Sequence, residues 1–233
     1  IGSFTIYKFN EEEWVSLQAL YDLLAPSNPE CAQKWEPYIH AEHGILNVGS
    51  LPGVEVGEGH LVGINLTNEN LTGTFPAVLL TFKELLVIDL TGNNLSGDIS
   101  ATATFMNEYL QSAPDFTSRL QTLNLTGNHL SGNIGLLAKT TGASSILSHF
   151  PELNTLWAAG NQFDEVQPYL PATIVNLDLS NQITDRGLAI DLAALNAESF
   201  ISTVPGLLLY NHQEQSYNTT PYLRLANYPP TVA

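Results

Sequence analysis

Residues 85–97 run Leu-Leu-Val-Ile-Asp-Leu-Thr-Gly-Asn-Asn-Leu-Ser-Gly, with apolar side chains at Leu85, Ile88, Leu90 and Leu95 and an asparagine, Asn93, between the last two. The spacing recurs at Leu61, Ile64, Leu66 and Leu71, and again at Leu120, Leu123, Leu125, Asn128 and Leu130. A fourth copy carries substitutions: Leu153, Leu156, Ala158, Asn161 and Phe163. Self-similarity of this kind means one small unit stacked on copies of itself, each covering an apolar edge that the unit cannot bury alone. The units start at Leu61, Leu85, Leu120, Leu153 and Ile174, at intervals of 24, 35, 33 and 21 residues. The first and last intervals fit a repeat of roughly 20 to 29 residues. The middle two carry extra residues within 100–119 and 135–150, where Phe105, Met106, Tyr109 and Leu110, and then Ile146, Leu147 and Phe150, have helical spacing.

Three stretches, Asn70-Leu-Thr-Gly-Thr-Phe-Pro76, Asn94-Leu-Ser-Gly-Asp-Ile99 and Asn128-His-Leu-Ser-Gly-Asn-Ile134, resemble the Leu-x-Gly-x-Ile/Phe-Pro form of plant-like leucine-rich repeats, with the proline present only at Pro76. Over 61–187 the chain is similar to that family. The resemblance implies an α/β solenoid: a curved parallel sheet on the concave face, irregular and short helical segments on the convex side, and a helical N-terminal cap. Trp35, Gly53-Val-Glu-Val56 and Gly59-His-Leu-Val-Gly-Ile-Asn-Leu66 resemble the cysteine-free cap of bacterial, Bacteroidetes-type surface members. That likeness implies an exported protein, periplasmic or at the cell surface, often held by a lipid anchor that would precede residue 1. Residues 170–180 also look like the short repeats of secreted bacterial effector ligases. Those enzymes need a separate catalytic domain with a cysteine nucleophile, for which no room remains, so the activity does not carry over.

Three regions are expected. Residues 1–60 form the N-terminal cap, 61–206 the repeats with their insertions, and 207–233 a C-terminal cap. In the first, residues 1–9 alternate loosely, as a short strand or extended lead-in. Asn10 followed by Glu11, Glu12 and Glu13 has the form of a helix N-cap with carboxylates at the positive end of the dipole. Trp14, Leu17, Leu20, Tyr21 and Leu24 then give a helix over about 10–25 that ends before Pro26. Residues 27–50 look irregular, and 53–66 form a hairpin around a Gly-rich turn. In the fifth unit Asn181 comes one place early, as though a residue were deleted, which predicts a tighter turn, and Gln182 stands where the repeat asparagine belongs. Glu69 does the same in the first unit and must be paired or solvated there. Ala158 in place of leucine predicts a filled gap or a local cavity. Helical spacing continues over 184–202, and strands are expected near 206–210 and 222–225.

Composition excludes more than it assigns. Seven Lys plus Arg against 23 Asp plus Glu give a formal charge of -16, which opposes approach to nucleic acid or to an anionic bilayer. No run reaches the roughly 18 apolar residues of a spanning helix, so membrane insertion is not expected. Residue 1 begins without a basic and then apolar leader, as in a mature or trimmed soluble domain. Cys31 is alone and expected to pack as a small apolar group. His40 and His43 share a helix-like spacing, but a metal site needs a third ligand and nothing nearby insists on one. There is no nucleophile elbow, phosphate loop or metal-ligand motif, so no catalysis, metal or cofactor is expected. Asn65, Asn70, Asn94, Asn124 and Asn218 begin Asn-x-Ser/Thr triplets, four of them inside the repeat consensus.

Alternation along each strand sends the residues between the strand leucines to the concave face. Aligning the units gives three columns: Gly63, Val87, Thr122, Thr155, Asn176; then Asn65, Asp89, Asn124, Trp157, Asp178; then Thr67, Thr91, Thr126, Ala159, Ser180. Five strands about 4.8 Å apart make a polar ladder roughly 20 Å across. The expected ligand contacts are Asn65, Asp89, Asn124, Trp157, Asp178, Thr91 and Thr126. Trp157, the aromatic among them, either anchors a ligand or lies covered by a neighbouring segment. The ladder suits a non-catalytic scaffold for a protein or glycan outside the cell, the alternative being a self-assembling repeat protein without a separate ligand.

Overall fold

The computed structural model describes residues 7–135, 140–141, 144–166, 173–174, 176–184, 189–190, 209–211 and 216–218. Asn10 opens helix α1 (Glu11–Leu24) by accepting the Glu13 N–H on its side chain at 3.0 Å, and Leu17, Leu20 and Leu24 are buried on one face. Glu13 does more than compensate the dipole. Its carboxylate accepts the buried N–H of Leu61 at 3.0 Å and lies 3.3 Å from His60 Nδ1, which ties the cap to the first repeat strand. Glu13→Ala leaves that N–H without an acceptor and is expected to cost about 2 kcal/mol, whereas Glu13→Gln keeps an oxygen in place and should cost about 1 kcal/mol or less. Urea titration of both variants separates the lost hydrogen bond from the lost charge.

The stretch after α1 is more regular than the sequence implies, because Pro29–Ile39 forms helix α2. Pro29 occupies the start of the helix, where its missing N–H has no intrahelical partner anyway. Cys31, Trp35 and Ile39, four apart, are buried, and Trp35 donates to the Pro52 carbonyl at 3.1 Å. Pro37 falls near the end, where its ring interrupts little of the helix. A 3-10 helix (Gly44–Ser50) then leads into the expected hairpin, β1 (Val54–Gly57) against β2 (His60–Asn65). Glu58 and Gly59 both adopt positive φ, the two-residue turn whose twist suits an antiparallel pair. The Asn10 N–H bonds the Gly59 carbonyl, so the chain entering α1 rests on this turn. The lead-in expected over 1–9 lies mostly outside the described residues.

The main sheet continues from β2 through β4 (Val87–Asp89), β6 (Thr122–Asn124), β10 (Thr155–Trp157) and β12 (Asn176–Asp178), all parallel, with β1 as the antiparallel edge. A second parallel sheet, absent from the sequence expectation, runs behind the first. It joins β3 (Thr72–Gly73), β5 (Asn94–Asp98), β7 (His129–Asn133), β11 (Gln162–Val166) and β13 (Ala189–Ile190). The repeat leucines and isoleucines form one buried cluster with the cap residues and the insertion residues Met106, Ile146 and Phe150.

A buried asparagine in each of the second, third and fourth units stitches it to the unit before. Asn93 Nδ2 donates to the carbonyls of Leu66 at 2.8 Å, Leu90 at 2.9 Å and Thr91 at 3.4 Å, while its Oδ1 accepts from the N–H groups of Glu69 and Leu71. Asn128 and Asn161 repeat the pattern one and two units on. Gln182 completes the series, donating to Ala158, Leu179 and Ser180 carbonyls and accepting from Phe163 N–H. The fifth turn is therefore not shortened. Asn181 takes the left-handed position (φ 56°) held in three other units by Gly92, Gly127 and Gly160, and asparagine is among the side chains that tolerate it. In the first unit Glu69 cannot form the stitch; it pairs instead with Lys34 of α2, and Asn28 takes the Thr72 N–H at 2.6 Å. Ala158 is fully buried, and Phe163 brings a ring to the position that is leucine at 71, 95 and 130.

The first insertion is helix α3 (Ser100–Ser112), with Met106 buried. In the second, β8 (Thr140–Thr141) pairs with β9 (Ser144–Ser145) ahead of a 3-10 helix over Ile146–His149. Of the helix expected over 184–202, the part described beyond Thr184 is Ala189–Ile190, which pairs as strand β13 instead; the rest lies outside the described residues. Near the expected strand at 206–210, β14 (Leu209–Asn211) pairs antiparallel with β15 (Ser216–Asn218). The strand expected at 222–225 lies outside the described residues.

Candidate binding face

Side-chain alternation and parallel register bring the predicted columns together. Gly63, Val87, Thr122, Thr155 and Asn176 stand side by side across the main sheet, as do Asn65, Asp89, Asn124, Trp157 and Asp178. The third column continues past the strand ends through backbone bonds from Asn68 to Thr91, Gly92 to Thr126, Gly127 to Ala159 and Gly160 to Ser180. Trp157 is 44% exposed and Val87 40%, two large apolar groups on a sheet face whose other side chains, apart from Ala159, are amides, hydroxyls and carboxylates.

Much of the second column has a structural duty that the sequence reading missed. Asn65 Oδ1 accepts from the Thr67 N–H and hydroxyl, and Asp89 Oδ1 from the Thr91 N–H at 3.0 Å and hydroxyl at 2.6 Å. Asn124 and Asp178 accept from Thr126 N–H and Ser180 N–H at 3.1 and 2.9 Å. Each is a local turn in which a short side chain stands in for a backbone acceptor at the strand end. The recurring Asn/Asp-Leu-Thr/Ser triplet is the signal that could have revealed it. In the fourth unit Trp157 sits at this position and offers no such oxygen. What the second column presents to solvent is therefore the Trp157 indole, the remaining carboxylate oxygens of Asp89 and Asp178, and the amide nitrogens of Asn65 and Asn124.

Elsewhere, a recess of about 420 Å³ between the cap and α3 is lined by Leu23, Thr74, Phe75, Val78, Ala101 and Phe105. A polar recess of about 310 Å³ lies among Glu12, Glu13, His60, Lys83 and Tyr109. His40 packs edge-on against Tyr21 and lies 3.8 Å from Asp22; among the described residues no three His, Cys, Asp or Glu stand close enough to hold a metal. No helix among them is long and apolar enough to cross a membrane. Burial, with a smaller contribution from Glu69, pushes the Cys31 thiol up to about 11. The native state therefore holds this proton longer than the unfolded chain, so the contribution of Cys31 to stability is constant below about pH 8.5 and is lost as pH rises from there toward 11. At pH 8 iodoacetamide should alkylate native Cys31 at least about tenfold more slowly than the urea-unfolded chain; equal rates would contradict a buried thiol.

The leucine rich repeat family profile matches residues 119–138, which contain β6 and the Asn128 stitch. In solved structures, the BIR2 ectodomain of Arabidopsis thaliana is similar over 72% of this chain and 81% of that one, at 21% identity and a TM-score of 0.50. The fold is that of a leucine-rich repeat solenoid. The BIR3–SERK2 complex of the same plant is also similar to this chain, with 23% identity, 77% of this chain and 83% of that one covered, and a TM-score of 0.47. A search of curated proteins found no match.

Proposed function

We propose that this chain is a leucine-rich repeat protein serving as a non-catalytic scaffold, exported to the periplasm or cell surface, that recognises another protein on its concave face. The observation that supports this reading is Trp157, 44% exposed between Asn124 and Asp178. A large aromatic held on a rigid strand, surrounded by polar groups, is the arrangement found at the energetic centre of protein interfaces. Val87, two strands away and 40% exposed, offers a second apolar anchor. Sugar rings also stack on tryptophan, but an aliphatic anchor beside carboxylates suits a polypeptide better.

Displayed libraries of extracellular proteins and peptides, panned on the wild type and scored again on a Val87→Glu, Trp157→Ala variant, test this directly, with a glycan array run beside them. Ligands that lose binding to the variant support the reading. Ligands indifferent to both changes overturn it, as does self-association that the two changes abolish with no other ligand found.

A further inference from the structure

The concave face carries three carboxylates and, among the described residues, no cation. Asp89 and Asp178 belong to the second column, and Glu55 of β1 pairs in register with Gly63, its carboxylate occupying the space beside that missing side chain. The described cations are engaged elsewhere. Lys8 pairs with Glu11, Lys34 with Glu69, and Arg119 with Glu84 and Glu152, while Lys83 lines the polar recess with Glu12 and Glu13. The formal charge of the chain, -16, has the same sign as this face. Trp157 and Asp178 are direct cross-strand neighbours, on strands about 4.8 Å apart.

Resting on the proposed concave-face reading, we propose that Trp157 and Asp178 form a seat for an arginine or lysine side chain of an extended polypeptide laid across the strands. A guanidinium within about 6 Å of an indole centroid is drawn to its negative face. Asp178 Oδ1 is held by Ser180 N–H at 2.9 Å, which fixes the carboxylate and leaves Oδ2 to accept from the cation. Together the ring and the carboxylate bind what neither binds well alone. The same geometry sets a spacing. Asp178 and Asp89 are three strands apart in one column, roughly 14 Å, and an extended chain advances about 3.3 Å per residue with side chains alternating between faces. A second cation four residues from the first therefore meets Asp89. Glu55 extends the negative edge one strand beyond β2.

A displayed random 12-residue peptide library, panned on the wild-type chain, supplies the probes. Peptides whose affinity drops on Trp157→Ala are resynthesised with each arginine replaced by neutral citrulline, and titrated by fluorescence anisotropy at two salt concentrations. Asp178→Asn keeps the Oδ1 acceptor for Ser180 and removes the charge; Glu108→Gln, on the exposed side of α3, removes the same charge far from the face. The expected result is enrichment of Arg or Lys pairs four residues apart, with affinity about fivefold weaker for Asp178→Asn and little changed for Glu108→Gln. Citrulline at the seated position should weaken wild-type binding and make Asp178→Asn nearly silent, as coupled partners require. If Trp157-dependent peptides lack cations, or if Asp178→Asn and Glu108→Gln weaken them equally, the cation seat is wrong while the concave-face reading stands. If no peptide depends on Trp157, both fall.

Discussion

Replacing Asn93 by alanine is expected to lower the unfolding free energy by about 3 to 4 kcal/mol, while the same change at its neighbour Asn94 should cost less than about 0.5 kcal/mol. Asn93 is 4% exposed and makes five hydrogen bonds to backbone groups in its own unit and the preceding one. Alanine leaves two N–H groups and up to three carbonyls without that partner, most of them away from water. Each orphaned buried group costs about 1 to 3 kcal/mol before relaxation, and part of the sum is recovered as the turn adjusts. Asn94 is exposed, and what the fold requires of it is its backbone N–H, which bonds the Leu71 carbonyl and survives any substitution except proline. Urea unfolding followed by circular dichroism distinguishes the two. A small effect at Asn93 would mean that leucine packing alone sets the stacking of the units.

Trp157→Ala should do the reverse: weaken a concave-face ligand by about 30-fold, a hot-spot loss near 2 kcal/mol, while changing the unfolding free energy by less than about 1 kcal/mol. Its ring is 44% open to solvent in the free chain, so truncation removes little packing. Trp35→Ala is the contrasting case, because Trp35 is 2% exposed and hydrogen-bonded to Pro52, and its removal should cost about 3 to 5 kcal/mol. Measuring affinity and stability on the same preparations keeps the two roles apart. A Trp157→Ala protein that is strongly destabilised would make the residue part of the fold and not of a binding face.

The legible parts of this fold are those where the repeat spacing speaks twice. Leucines three, five and ten residues apart fix which side chains go inward, and by alternation which go outward, so the order and register of all three columns follow from aligning the units. Helix α1 was legible through its cap, and α3 through Phe105, Met106, Tyr109 and Leu110. Helix α2 was not, because Cys31, Trp35 and Ile39 give it only three buried positions and prolines stand at both ends. The second sheet was hidden for a related reason. Its strands are two to five residues long, and those of the repeats offer at most two buried apolar groups each, too few to show alternation. In the fifth unit the sequence misleads. Asn181 looks like the displaced repeat asparagine, whereas it holds the left-handed turn and the longer Gln182 reaches back to make the buried bonds.

The candidate site was legible as positions and less so as chemistry. The polar residues Asn65, Asp89, Asn124 and Asp178 fall where expected, yet each spends one oxygen on the turn after its strand. A ladder that appears on paper as free amides and carboxylates is thus half committed to the scaffold. Trp157 gains weight by that comparison, since it breaks the pattern at the one unit where the local turn gives up its side-chain acceptor.

Hydroxyl-radical footprinting of Trp157, with and without a ligand selected on the wild-type chain, tests the central claim most directly. The account predicts that oxidation of Trp157 falls several-fold on binding, while Leu23 and Phe105, exposed beside the recess between the cap and α3, keep their free-state rates. An unchanged rate at Trp157 together with protection of Leu23 and Phe105 would contradict it and move the binding surface off the concave face.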